Sequence, residues 1–146
     1  MTDAELLQLV RAAFAAYDPV PQHVLADARA ALRWREADAA PARLVETGQD
    51  RRTPVLRETG ARLLTFTGGG LTVELEVSGA GPAYQLAGQL LPPAQALVRV
   101  RHTGGELAGR AEAAGQFVVE GVPAGPVSLL ILPDGGSPVV TDWIRL

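Results

Sequence analysis

The sequence contains no cysteine, no lysine and no asparagine, and only two histidines among its 146 residues. Without cysteine there is no disulfide framework, no thiolate nucleophile and no Cys-based zinc site. With His23 and His102 alone, a three-histidine metal site is impossible, and neither H-x-x-x-H nor H-E-x-x-H spacing occurs. A strong charge of one sign is also missing. The formal net charge is −3, and no basic stripe of the kind that neutralises nucleic-acid phosphates is present. No run approaches the roughly 18–20 apolar residues of a membrane span. The opening Met1-Thr2-Asp3-Ala4-Glu5 is acidic, whereas a secretory signal has a basic start followed by a continuous apolar stretch. The expected location is therefore the cytoplasm.

What is present is a globular composition, 47% hydrophobic and 20% charged, which excludes overall disorder. All thirteen basic residues are arginine, and isoleucine occurs only at 131 and 144, while Ala, Gly and Pro abound. This is the bias of a high-GC genome. Arginine here does the surface work that lysine usually shares, so an individual Arg is weak evidence of function.

The N-terminal segment has helical period. Thr2 and Glu5 have capping-box spacing, and Leu6, Leu7, Val10, Ala13, Phe14 and Tyr17 share one face. Asp18-Pro19-Val20-Pro21 stops this helix and is read as starting the next, with Asp18 as cap and Pro19 in the first turn. The second helix carries Val24, Leu25, Ala28, Ala31 and Leu32 on one side and ends before Pro41, with a short further turn at residues 41–46. Together they predict a helical unit at 1–47, an αα-hairpin or loose three-helix unit. Residues 48–61 are polar, contain Pro54 and Gly60, and read as a linker with a short strand at 55–57.

From Arg62 the period changes to two. Leu71, Val73, Leu75 and Val77 alternate with Thr72, Glu74 and Glu76, a half-buried strand. It follows a strand containing Leu64 and Phe66, across the turn Gly68-Gly69-Gly70. Further strands are predicted at 84–91, 96–102, 106–112, 116–120, 127–132 and 139–145, separated by Gly/Pro turns. The fold class is thus α+β: a helical hairpin followed by an antiparallel β-sandwich of seven to eight strands, prealbumin- or Ig-like, at 62–146. The same spacing also describes a small barrel. The apolar run Val127–Leu132 marks a central strand or one covered by the helices. Charge is shared: residues 1–47 and 62–146 each hold seven acids and five arginines, so neither part is a polyelectrolyte tail.

No catalytic constellation emerges. Ser78, Ser128 and Ser137 lie outside any G-x-S-x-G elbow. Glu74 and Glu76 sit about 7 Å apart on one strand face, within the range of glycosidase pairs, but i, i+2 glutamates are also what a solvated strand carries. Asp134 and Asp142 lack a D-x-D-x-D-G calcium loop around them. The glycine triplet is followed by a strand, not by the helix and lysine that a phosphate loop needs. No enzyme activity, cofactor or metal is expected.

The candidate binding residues are Arg33, Trp34 and Arg35. Trp34 lies about 115° off the centre of the second helix's apolar stripe by 100° steps. Two readings stand for it: packing on the sandwich, with Arg35 snorkelling or paired, or a protein-binding patch, since Trp and Arg are favoured interface anchors.

Two stretches carry resemblances. Gly115-Gln116-Phe117-Val118-Val119-Glu120-Gly121-Val122-Pro123-Ala124-Gly125-Pro126-Val127-Ser128-Leu129 resembles the G-x-F signature of carboxypeptidase regulatory-like, transthyretin-like β-sandwiches. This implies an accessory, non-catalytic module with Phe117 and Val119 in its core. The second comprises Asp18–Pro21, Val24-Leu25, Ala28, Ala31 and Trp34-Arg35, with Leu63–Phe66, Leu71–Val77 and Thr141–Leu146. It is similar to a group of small proteins of high-GC bacteria commonly encoded beside an alternative RNA polymerase sigma factor. That resemblance implies a regulatory protein-interaction role with a sigma factor or another regulator as partner. The chain has no Cys and so does not carry the His and paired-Cys motif of zinc-type anti-sigma domains. A carbohydrate- or envelope-binding accessory domain is the alternative, and it would need export and an aromatic platform; an enzyme is the least favoured alternative.

Overall fold

A computed structural model of the chain describes residues 1–32, 35, 38–45, 61–79 and 81–146. The protein is mostly β, with a nearly closed sheet and two short helices. It divides into two units, Met1–Arg35 and Glu36–Leu146. The linker expected at 48–61, including the strand at 55–57, lies almost wholly outside the described residues.

In the first unit, helix α1 spans Asp3–Tyr17 and α2 spans Gln22–Leu32. The expected capping box is present. The Glu5 amide donates to Thr2 Oγ1 at 3.3 Å, and the Thr2 amide donates to Glu5 Oε2 at 2.7 Å. These bonds from Thr2 favour the ionised carboxyl and hold Glu5 below its ordinary pKa. Helix α2 begins at Gln22 rather than at Pro19. Val20 precedes Pro21 and is therefore pushed out of the helical region, so the first helical bonds are those from the Val24 and Leu25 amides to the Pro21 carbonyl. The helices also do not zip into the expected hairpin. None of α1's residues is buried, and Val24 and Leu32 of α2 are exposed. Among the described residues, no helix is long and apolar enough to cross a membrane.

Among the described residues the second unit holds ten strands: β1 (Ala40–Leu44), β2 (Arg62–Gly68), β3 (Leu71–Ser78), β4 (Ala83–Leu91), β5 (Ala96–His102), β6 (Gly105–Ala111), β7 (Gln116–Pro123), β8 (Pro126–Pro133), β9 (Val139–Thr141) and β10 (Ile144–Arg145). Their order is β6-β5-β8-β9-β1-β2-β3-β4-β7, with β10 beside β8. All pairs are antiparallel except β1–β9, which is parallel. The ends of the path, β6 and β7, meet at their connecting turn, where the Glu112 amide donates to the Gln116 carbonyl at 3.0 Å.

The alternation read in the sequence is the alternation of burial. In β3, Leu71, Val73, Leu75 and Val77 are buried while Glu74 and Glu76 are exposed. Gly69 and Gly70 adopt positive φ, as a tight β2–β3 turn requires. Strand β8 is buried on both faces and lies between β5 and β9, the central position its apolar run predicts.

Strand β1 corrects the helical turn expected at 41–46. Ala40–Ala42 pair with Val139–Thr141 of β9, and Arg43 and Leu44 then pair with Thr67 and Phe66 of β2. One five-residue segment therefore bonds to both halves of the sheet. Local propensity for a turn is overridden by the unpaired edges of β9 and β2, which need a strand between them. The fit is close. A Cβ on Gly68 would collide with the Pro41 carbonyl and the Ala42 backbone, so glycine at 68 lets the two strands approach.

Candidate functional site

Of the three binding residues expected from the sequence, Arg33 and Trp34 lie outside the described residues. Arg35 is exposed, and its amide donates to the Leu32 carbonyl at 3.2 Å, closing the end of α2. The helical unit also carries a larger apolar feature. The apolar stripe of α1 faces solvent: Val10 is 42% exposed, Phe14 64% and Tyr17 90%, with Leu6, Leu7 and Leu9 also exposed. The polar side of the same helix is made of Glu5, Gln8 and Arg11. Hydrophobic spacing identifies this stripe in the sequence, but not whether it is covered.

The second unit carries a buried polar cluster that the sequence reading missed. Arg101, at the end of β5, is only 2% exposed. Its Nη2 donates to Ser128 Oγ at 2.9 Å, and Ser128 Oγ donates to the Thr141 carbonyl at 3.0 Å. The Leu129 amide donates to Thr141 Oγ1 at 2.9 Å, and that hydroxyl donates to the Asp142 carbonyl at 3.0 Å. The guanidinium carbon of Arg101 lies 5.4 Å from the ring centroid of Trp143, a cation–π distance. Asp142 Oδ2 accepts the Leu44 amide at 2.9 Å, and the Asp142 amide donates to the Ala42 carbonyl at 3.0 Å. The segment Thr141–Trp143 thus ties β5 and β8 to β1. Arg99 and Arg101 alternate with the inward Val98 and Val100, so sequence places both arginines outward. Nothing local to the strand foretells that one of them is covered by an indole forty-two positions further on.

The remaining candidate side chains sit on strand faces and in turns of the second unit. Glu74 and Glu76 project from β3 opposite Thr65 and Leu63 of β2 and Gln89 and Ala87 of β4, an outward strand face. Asp134 Oδ2 accepts from Arg110 Nη2 at 3.0 Å, an exposed pair of small energetic weight. His102 Nδ1 accepts the Gly104 amide at 3.1 Å in the β5–β6 turn. Among the described residues no three His, Asp or Glu side chains gather as a metal site. A shallow open cleft of about 270 Å³ lies at the ends of β3, β4 and β7, lined by Ser78, Tyr84, Gln85 and Glu120 among others. It offers hydroxyl, amide and carboxylate groups, and no histidine is among its described lining residues. Comparison with protein-family models, with curated proteins and with solved structures finds no match for this chain.

Proposed function

We propose that this chain is a non-enzymatic protein-interaction module of the cytoplasm whose helical unit makes the partner contact. The observation that supports this reading is the exposed stripe of α1. A 15-residue helix without a single buried residue lacks the tertiary packing that supplies most helical stability in proteins, and six large apolar side chains on it face solvent. Such a face is the form in which a helix is offered to a protein groove, through anchors at i, i+3, i+4 and i+7 spacing. The partner class comes from the resemblance: an alternative sigma factor, or a regulator of one.

The second unit, in this reading, is an accessory sandwich of the transthyretin-like kind. Gly115 takes positive φ at the turn before β7, Phe117 and Val119 are buried, and Gly125 takes positive φ in the turn before β8, as the G-x-F resemblance implies.

The test is calorimetric titration of the chain with a purified alternative sigma factor of the same genome, alongside thermal unfolding of each variant. Trp34→Ala is expected to weaken binding by about 2 kcal/mol or more, the cost of losing an interface anchor, and Phe14→Glu to abolish it, both with unchanged unfolding of the β unit. Absence of binding by the unaltered chain would rule out the sigma factor. Destabilisation by Trp34→Ala without a change in affinity would place that indole in packing instead.

A further inference from the structure

We propose that Trp143 is the stacking platform of a site for a nucleobase carrying phosphate, with Arg145 and Arg62 as the partners of the phosphate. The site lies wholly within the second unit and does not depend on the helical face.

The first observation is how the chain places Trp143. Strand β5 occupies one edge of β8 along its length, and β9 and β10 share the other. From Val140, opposite Leu130, to Ile144, opposite Val127, the chain takes four residues against three on β8. The extra residue is a β-bulge at Asp142-Trp143. Val139 and Thr141 are buried, so regular alternation would carry Trp143 into the core and Ile144 out of it. The bulge inverts this: Ile144 is buried and Trp143 is 45% exposed. Bulges re-aim side chains in this way beside functional sites. Packing alone would favour the larger indole inside.

The second is the backing of the ring. The guanidinium carbon of Arg101 lies 5.4 Å from the indole centroid, and Arg101 is itself buried and bonded to Ser128. Burying a guanidinium is costly, and here it fixes a half-exposed aromatic ring. The neighbours on both sides are also held. Asp142 bonds through its amide and its carboxylate to β1, and Ile144 pairs with Val127. A ring fixed before the ligand arrives saves the entropy of ordering it on binding.

The third is charge. With Ile144 inward, Arg145 faces outward two positions from Trp143. Arg62 Nη1 donates to the Arg145 carbonyl at 2.9 Å, which brings a second guanidinium to β10. Both side chains are exposed, and among the described residues neither is in an ion pair. Asp142, the acid of this segment, turns its Oδ2 to the Leu44 amide.

Arginines call for an anion, and a fixed indole calls for a flat ring. A nucleotide offers both, since bases stack on aromatic side chains and phosphate is matched by guanidinium. A neutral sugar would leave the arginines unused, and Arg101 already occupies the ring as its cation. The net charge of −3 favours a short ligand over a long polyanion.

The test titrates the full chain carrying Trp34→Phe, which leaves Trp143 as its one tryptophan, with AMP through the millimolar range. AMP should quench the indole fluorescence saturably, and ribose phosphate should not. By calorimetry, Trp143→Ala should weaken AMP binding about tenfold or more, the loss that removing one base stack brings. Arg145→Gln, at an exposed position, should weaken AMP about tenfold and leave adenosine unchanged. Val118→Glu, exposed on β7, should leave AMP affinity unaltered. A short single-stranded oligodeoxyadenylate identifies the source. Tighter binding than AMP, lost in Arg145→Gln, makes the ligand a strand; equal or weaker binding makes it a free nucleotide. The quenching and the Arg145→Gln measurement need no change at Trp143, so they decide the matter even if Trp143→Ala unfolds. The proposal is overturned if neither AMP nor the oligonucleotide binds saturably, if ribose phosphate binds as tightly as AMP, or if AMP affinity is indifferent to Arg145→Gln.

Discussion

Phe117→Ala should destabilise the second unit by about 3–5 kcal/mol, the range for large-to-small changes in a core, and Gly88→Ala should destabilise it by the opposite route, overpacking against the same ring. The two residues are direct cross-strand partners on β4 and β7. Phe117 is almost fully buried, and a Cβ built on Gly88 would collide with the Cζ end of its ring. Glycine at 88 is therefore the floor on which the aromatic ring lies. Its backbone is in ordinary extended conformation, so the penalty for a side chain there is steric rather than conformational. Forcing the ring aside is an overpacking defect, typically about 1–3 kcal/mol and occasionally more. The two costs should not add. In the Phe117→Ala background the added methyl at 88 enters space that the ring has vacated, so Gly88→Ala should cost little or even recover stability. Chemical denaturation of the two single variants and the double variant gives the coupling directly. Additive losses would mean that the ring and the glycine do not share the same space. A loss below about 1 kcal/mol for Phe117→Ala, against the usual core range, would mean that its side chain faces outward.

That pair also shows what a sequence can and cannot disclose. Phe117 was legible as core, because Gly115 and the Pro123–Gly125 turn bracket a strand on which 117 and 119 fall on one side. Gly88 was not. It sits in a nine-residue strand among Gln85, Leu86, Gln89 and Leu90, and only the cross-strand register brings it beneath a ring twenty-nine positions away. The same distinction runs through the chain. The β2–β3 hairpin is written locally, in alternation and in three glycines. The exposed stripe of α1 was legible as a stripe, but its exposure is a property of what packs against it. Arg101 looked like one more outward arginine of an arginine-only protein, and its burial depends on Trp143 and Ser128. Strand β1 is the largest omission. Its five residues include a proline and two alanines, show too few alternations for a period, and find their partners at residues 66–67 and 139–141. The Leu44–Asp142 bond closes a loop of 98 positions. A pairing that distant leaves no local trace, and the proline at 41 argues for a helix boundary as much as for a strand.

A fragment comprising residues 62–146 should therefore fold poorly, whereas one comprising 36–146 should unfold cooperatively. Alternation from Arg62 onward argues that the later strands supply their own core, and on that ground the shorter fragment would be autonomous. The topology argues otherwise. Without β1, β2 and β9 become facing edges with no ladder between them, and the nearly closed sheet separates into two halves joined only through connecting turns and side-chain packing. Besides the ladder bonds of β1 to β2 and β9, four further ties are lost at once: Ala40 to Pro138, Val45 to Thr65 and Asp142 to Ala42 between backbone groups, and the Leu44 amide to the Asp142 carboxylate. Phe66 and Val139, both buried, lose the cover of the fully buried Ala42 and the partly buried Leu44. Each net hydrogen bond contributes only about 0.5–1.5 kcal/mol. Four of them, with the apolar cover, nevertheless approach the whole stability of a small domain, about 5–15 kcal/mol. Exposed edges of this kind also invite association with other chains. Thermal unfolding of the two fragments, with light scattering to follow aggregation, decides the matter. A sharp transition for 62–146 at the midpoint of 36–146 would show that β1 decorates the sheet. A broad or absent transition, restored when residues 36–45 are supplied as a peptide, would show that this segment holds the two halves together.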